Sequence, residues 1–383
     1  MDDVHFRRVD AWTMLGEAAS SADDAWQEGV PVEAAWALTF HDLHPDARQV
    51  VRASAVLNGP SISLVSMAAA GGFSMSRLNE VLDVASEAGW GRHVEDRFEV
   101  APGARAFLRN LVLSMPANAV RLMLDRIGGA VIAATDEVKA VPPAIRADII
   151  GVIRAANRLG EPALVARVAR AAWHVVTPDV SLAWCKQLAE HGEQAAIAVR
   201  DPALLVELLD SSARTYSAGG DWQAAERAWL RALAVLDRTS TSERFVDFLG
   251  LLATNYRRWG RLHKMADTLL EVVALHQREG DPVKTAEALA AVGTTLFEAG
   301  RLDAAIQHLE SANRLLQELP DDDVVARARR SVVLGDLGQV YAERGAINTA
   351  RTCYHRALAS ALDIGDDAIA TRIRELQATL PSV

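Results

Sequence analysis

Apolar positions in the C-terminal half of the chain return every forty residues. Tyr216, Tyr256 and Leu296 stand at that spacing, and Tyr341 follows forty-five residues later. Nine residues beyond each comes a small or flexible side chain (Ala225, Met265, Ala305, Ala350). Four further on stands a bulky one (Trp229, Leu269, Leu309, Tyr354), and three beyond that Ala232, Val272, Ala312 and Ala357. Such a period predicts stacked supersecondary units in place of one globular core. Within a unit the positions read as two helices around a glycine break at Gly219-Gly220, Gly260, Gly300 or Gly345, with alanine where the two backbones approach. Each unit is therefore expected to be a helical hairpin. Polar, turn-rich segments join the units, at Thr239-Ser240-Thr241-Ser242, Gly280-Asp281-Pro282 and Pro320-Asp321-Asp322-Asp323.

This pattern resembles the tetratricopeptide repeat, whose consensus places Leu-Gly and then Tyr in the first helix, and Ala, an aromatic and Ala in the second. Leu337-Gly338, Tyr341, Ala350, Tyr354 and Ala357 fill every place, and Gly293, Leu296, Ala305, Leu309 and Ala312 fill them with Leu for both aromatics. Ala213 and Ala253 stand in for the Gly, and Met265 for one Ala. The period exceeds the consensus of roughly 34 residues, which longer helices and looser connections explain. The resemblance implies a curved stack whose first helices line a concave groove, with ligand contacts at defined first-helix positions. Here these are Glu207, Asp210, Arg214 and Ser217, then Asp247, Thr254, Arg257 and Arg258, then Glu287, Thr294 and Glu298, then Gln339 and Glu343. As a row they favour a protein or peptide partner with basic character. The Lys and Asn set that clamps a C-terminal carboxylate in chaperone-binding members has no counterpart. Ile369, Ile373, Leu376 and Leu380 then predict a capping helix over 366–383.

Residues 37–112 have another texture. Phe40-His41-Asp42-Leu43 leads to a helix starting at Pro45 that turns Val50, Val51, Ala53 and Leu57 inward and ends at Asn58-Gly59-Pro60. A short helix over Leu64 to Ala70 and a third from Ser76 to Ala88, with Leu78, Val81, Leu82 and Ala85 on one face, precede the alternating run His93 to Val100, expected as a β-hairpin. This block resembles the winged-helix segment of bacterial STAND or NB-ARC regulators, with Phe40-His41-Asp42-Leu43 and Arg97-Phe98-Glu99-Val100 in the places of two family phrases. Where that family carries a phosphate-sensing His-Asp pair this chain has Ala101-Pro102, and it has no GxxxxGK[ST] cradle. The likeness is thus to the winged-helix and repeat part without the nucleotide-binding domain, and no cofactor is expected.

The expected fold is all-α: an α-α superhelix, or tetratricopeptide solenoid, behind a small winged-helix-like domain with a short β-hairpin. Its parts are a helical arm (1–36, with Trp12, Leu15 and Trp26 at helical spacing), the winged-helix-like domain (37–112), a helical linker with degenerate repeats (113–200), the repeats (201–365) and the cap (366–383). In the linker, helices are expected at 104–115, at 117–135 with a weak point at Gly128-Gly129, and at 142–159; residues 154–172 read as a degenerate repeat and 180–200 as a further helix pair.

Composition narrows the chemistry. Half of the 383 residues are hydrophobic but only 5% aromatic, so a large core is expected from Ala and Leu contacts. Cys185 and Cys353 lie in separate segments without a ligand-spaced partner, so neither a disulfide framework nor a zinc site is indicated. The acidic start Met1-Asp2-Asp3-Val4 and the lack of any run near the roughly 20 apolar residues a bilayer needs predict a cytoplasmic protein with no membrane partner. His41 and His44 flank Asp42, but a metal there is a weaker reading than a helix start at Asp42 and Pro45 with surface histidines. No HExxH or GxSxG phrase appears, so the chain is expected to be noncatalytic. A net charge of −10, and three carboxylates against one Arg on the third helix of the winged block, disfavour nucleic acid. The expectation is a regulator or adaptor that binds a protein or peptide in the concave groove. Its alternatives are a DNA-binding regulator with a partner-sensing repeat domain, and a scaffold docking a biosynthetic enzyme. No feature fixes an oligomeric state.

Overall fold

The computed structural model describes residues 32–136, 143–177, 180–239, 242–320 and 322–381. The helical spacing of Trp12, Leu15 and Trp26 lies outside them. The chain forms two compact units, Met1–Gly219 and Gly220–Val383.

In the first unit, α1 (Val32–Asp42) and α2 (Pro45–Leu57) are followed by β1 (Ser61–Ser63), α3 (Leu64–Gly71), α4 (Met75–Glu87), β2 (Gly91–Val94) and β3 (Arg97–Val100). The inward positions expected from periodicity are all buried: Val50, Val51, Ala53 and Leu57 on α2, and Leu78, Val81, Leu82 and Ala85 on α4. The expected hairpin is a three-stranded antiparallel sheet of order β1-β3-β2, because Ser61–Ser63 pairs with Arg97–Glu99. Three residues with two serines carry too little alternation to read as a strand. His44, not Asp42, caps α2, its Nδ1 accepting the Asp46 N–H at 3.3 Å, while Asp42 ends α1. Trp36 of α1 meets Trp90 edge-on at 4.7 Å between centroids, and Phe40 and Phe107 complete the cluster. Residue 36, the expected end of a separate arm, thus belongs to the core of the block that follows.

Among the described residues six further helices follow in this unit: α5 (Ala104–Ser114), α6 (Ala117–Asp136), α7 (Pro143–Leu159), α8 (Pro162–Trp173), α9 (Leu182–Ala198) and α10 (Pro202–Ala218). Residues 180–200 hold one helix, not the pair expected. Gly192 is no turn there: a Cβ on it would lie 2.9 Å from the Ala169 Cβ, so the glycine lets α8 pack against the middle of α9. The weak point in α6 is likewise continuous helix.

The second unit is a run of helices α11 (Trp222–Thr239), α12 (Ser242–Arg258), α13 (Leu262–Glu279), α14 (Pro282–Glu298), α15 (Leu302–Gln317), α16 (Val324–Glu343), α17 (Ile347–Asp363) and α18 (Asp367–Ala378), each packed on the next. Starts are set by acidic caps: Asp281, Asp323 and Asp366 accept the N–H three residues on, each at 2.9 Å. Hairpins turn at glycines such as Gly300, whose φ of +73° is closed to most side chains. The expected alanines Ala225, Ala232, Ala305, Ala312, Ala350 and Ala357 are 0% exposed, which is what brings paired helices into contact. Met265 is only half-buried, and its neighbour Ala266 takes the inward place. On α18, Ile373 and Ala370 are buried while Ile369 and Leu376 are half-buried, as is Leu380 just beyond the helix. Ile373 sits where a Cβ on Gly335 would come within 2.4 Å of its Cδ1, and Arg372 binds Asp336 at 2.8 Å, so α18 docks on α16.

Candidate functional site

The first helices of the second unit are α12, α14 and α16. Their side chains meet through charge. Arg257 of α12 is ion-paired to Glu298 of α14, and Arg329 of α16 to Glu287 of α14. These bridges put the expected positions Arg257, Glu287 and Glu298 on one face and add Arg329, which the repeat pattern did not single out. Thr254 and Thr294 spend their hydroxyls on the carbonyls of Gly250 and Ala291 in their own helices, at 2.9 and 3.1 Å. Asp247, Gln339 and Glu343 make no hydrogen bond or ion pair among the described residues, and Asp247 and Glu343 are exposed. In the first unit, α10 carries four further expected positions, Glu207, Asp210, Arg214 and Ser217. Glu207 receives Arg170 of α8 at 2.8 Å, with His174 at 3.5 Å, and Asp210 holds Arg214 one turn on at 2.9 Å. Ser217 is buried and Arg258 exposed.

A second constellation joins α11, α12 and α13. Glu226 accepts from the Tyr256 hydroxyl at 2.7 Å and from the Lys264 ammonium at 2.5 Å. Tyr256 stacks on Trp259 with centroids 6.5 Å apart, and Lys264 and Arg261 lie 5.7 and 5.2 Å from the Trp259 ring. Burial pushes the Tyr256 hydroxyl well above its ordinary value, and the neighbouring Glu226 carboxylate pushes it further. Burial acts to raise Glu226 itself, but the bonds from Lys264 and Tyr256 together hold it below the usual carboxylate range. Around neutral pH the Glu226 carboxylate is therefore ionised and the Tyr256 hydroxyl keeps its proton to donate. Its sequence signal was weak, because Glu226 and Lys264 are thirty-eight residues apart.

Three cations of the winged block face carboxylates, while Arg52 lies 5.7 Å over the Phe40 ring. Arg77 pairs with Asp46 at 2.6 Å and Glu80 at 2.7 Å, and Arg92 with Glu99 at 2.7 Å. Arg97 turns inward to Asp148 of α7 at 2.8 Å, and that carboxylate, 1% exposed, also accepts the Ser63 N–H at 2.9 Å. Both cysteines are buried, and burial raises each thiol above its ordinary value, so they pack as small apolar groups. Among the described residues no group of three His, Cys, Asp or Glu is placed to hold a metal ion, and no helix is long and apolar enough to cross a membrane.

Paired antiparallel helices with alanine contacts, glycine turns and a docked last helix define an all-α protein of tetratricopeptide-type hairpins. No protein-family model and no curated protein matches the sequence. Among solved structures the chain is similar to BtubC (BKLC) from P. vanneervenii, at 19% identity over 68% of this chain and 94% of that one, with a TM-score of 0.39. It is also similar to a signal transduction ATPase with numerous domains (STAND) that has a tetratricopeptide repeat sensor, from Pyrococcus horikoshii, at 12% identity over 96% and 71% of the two chains and a TM-score of 0.34. Aspartyl phosphate phosphatase F from Bacillus subtilis matches at 12% identity over 87% and 79%, with a TM-score of 0.39. What places the chain in its class is its own hairpin geometry.

Proposed function

We propose that this chain is a noncatalytic regulator or adaptor that binds a partner protein or peptide on its row of first helices. The observation that carries the reading is the bridging of α12, α14 and α16 by Arg257–Glu298 and Glu287–Arg329. Exposed ion pairs are individually worth roughly 0–1 kcal/mol. A partner can therefore exchange them for its own charges at little cost. Asp247, Gln339 and Glu343 supply further polar groups along the row, and their acidic balance suits a basic segment. Glu207, Asp210 and Arg214 are proposed as contacts on the first unit.

In this reading residues 37–112 are a winged-helix-like module that packs and relays without reading DNA. The order α2-β1-α3-α4-β2-β3 and the strand order β1-β3-β2 support the winged-helix assignment. The carboxylate partners of Arg77, Arg92 and Arg97 support the packing role, since a phosphate would have to displace each of them. A cytoplasmic location follows from the same reading. The test is affinity capture from the native host with the full chain and a D247K/E287K variant side by side. A protein recovered in stoichiometric amount by the first and lost by the second supports the groove, and equal recovery by both refutes it. A gel-shift with salt titration covers the DNA-binding alternative, for which steep salt-dependent binding is required. Recovery of an enzyme whose activity rises on the chain would favour the scaffold.

A further inference from the structure

The second helices carry a surface that the first-helix row does not use. Counted by the repeat, Leu230 of α11, Leu270 of α13, Glu310 of α15 and His355 of α17 occupy one position. Leu230 is 47% and Leu270 39% exposed. The first two copies thus place leucine in water where the last two place a polar residue, so the repeat itself does not require the leucines. Beside Leu230, between α11 and α13, opens a cleft of about 220 Å³. Leu233, Leu249 and Leu252, all buried, form its apolar lining, and the Thr268 hydroxyl there is spent on the Lys264 carbonyl at 2.8 Å. That volume lies below the roughly 300–1,000 Å³ of drug-sized and cofactor sites. It suits one apolar side chain.

The rim gives the sign of what surrounds that side chain. Lys264 is neutralised by Glu226, while Asp267 and Glu271, both exposed and one turn apart on α13, hold no ion pair among the described residues. The charge left at the mouth is negative. Tyr256 and Lys264, fixed by Glu226 and Trp259, make the adjoining wall rigid, so little ordering is needed on binding.

We propose that this cleft is a second docking site, which seats a leucine- or phenylalanine-type side chain of a partner polypeptide that carries Lys or Arg beside it for Asp267 and Glu271. The site is independent of the first-helix row and stands whether or not that row binds.

The experiment pans a displayed library of random 12-residue peptides on the full chain and measures the enriched peptides against three variants. Leu230→Glu, at an exposed position, should fold normally and weaken peptides that share an apolar residue next to Lys or Arg by tenfold or more. The pair D267K/E271K should weaken the same peptides severalfold and remove most of their salt dependence. D247K/E287K, on the first-helix row, should leave them unchanged. Enriched peptides without the apolar-basic pairing, enriched peptides indifferent to Leu230→Glu, or no enrichment at all would overturn the proposal. Peptides lost only on D247K/E287K would support the first-helix row and overturn this site.

Discussion

Replacing Asp148 by Ala tests how the sheet of the first unit is fastened to α7. The carboxylate is 1% exposed and takes the Arg97 guanidinium at 2.8 Å and the Ser63 N–H at 2.9 Å. Arg97 is itself only 16% exposed and also donates to the Ser61 hydroxyl and carbonyl at 2.8 and 2.9 Å. Its hydrogen bonds to Ser61 leave the guanidinium charge uncompensated once the carboxylate is gone. Breaking a buried pair from one side costs about 3–5 kcal/mol, because a charge stays buried without its partner. Removing both charges, as in R97M/D148L, avoids that penalty and leaves mainly the Ser63 N–H without an acceptor, at about 1–3 kcal/mol. The double variant should therefore be more stable than Asp148→Ala alone, with Asp148→Asn between wild type and Asp148→Ala. Two units make a single unfolding free energy ill-defined, so the assay is amide hydrogen exchange resolved to residues 61–64 and 97–100. At about 1.4 kcal/mol per tenfold, Asp148→Ala should lower protection there by about a hundredfold to a few thousandfold. A loss under tenfold, or a double variant less protected than the single, would refute the account of Arg97 as an inward clamp.

Four other outcomes are expected. Gly338→Ala would place its Cβ 2.5 Å from the Tyr354 Cε1; overpacking of this kind costs about 1–3 kcal/mol, so thermal scanning should show a lower midpoint, partly restored by adding Tyr354→Leu. Ile373→Ala removes the side chain over Gly335 and should cost about 2–5 kcal/mol, and truncation after Gly365 should cause aggregation visible by light scattering; a truncated chain as stable as the whole would contradict the capping role of α18. Burial raises the Asp336 carboxyl above its ordinary 3.8 although Arg372 pulls it down. A folded-state value above the unfolded one gives stability that is full below the unfolded value and lost as pH rises through the folded one. Asp336→Asn should accordingly flatten the loss of stability between that ordinary value and neutral pH, measured by thermal midpoints across the range.

By itself the sequence determined most of the helices and their buried faces. Helix periodicity is a local property, so Val50, Val51 and Leu57, or Leu78, Val81 and Leu82, announce their buried side without knowledge of what covers it. The forty-residue spacing did the same for the hairpins, since contacts between neighbours in the chain repeat with the chain. Tertiary structure decided what depends on partners distant in sequence. Residues 180–200 read as a helix pair and proved one helix, in which Gly192 is a packing site because only the position of Ala169 on α8 gives its missing Cβ a purpose. Ser61–Ser63 became a strand through β3, thirty-six residues away, and Arg97 became a clamp through Asp148, fifty-one residues away. The ion pairing along the proposed row was not legible, because a bridge such as Arg257 to Glu298 joins helices whose spacing no single-helix pattern encodes. The cleft beside Leu230 belongs to the same class: it exists only where α11, α12 and α13 leave a gap between their side chains.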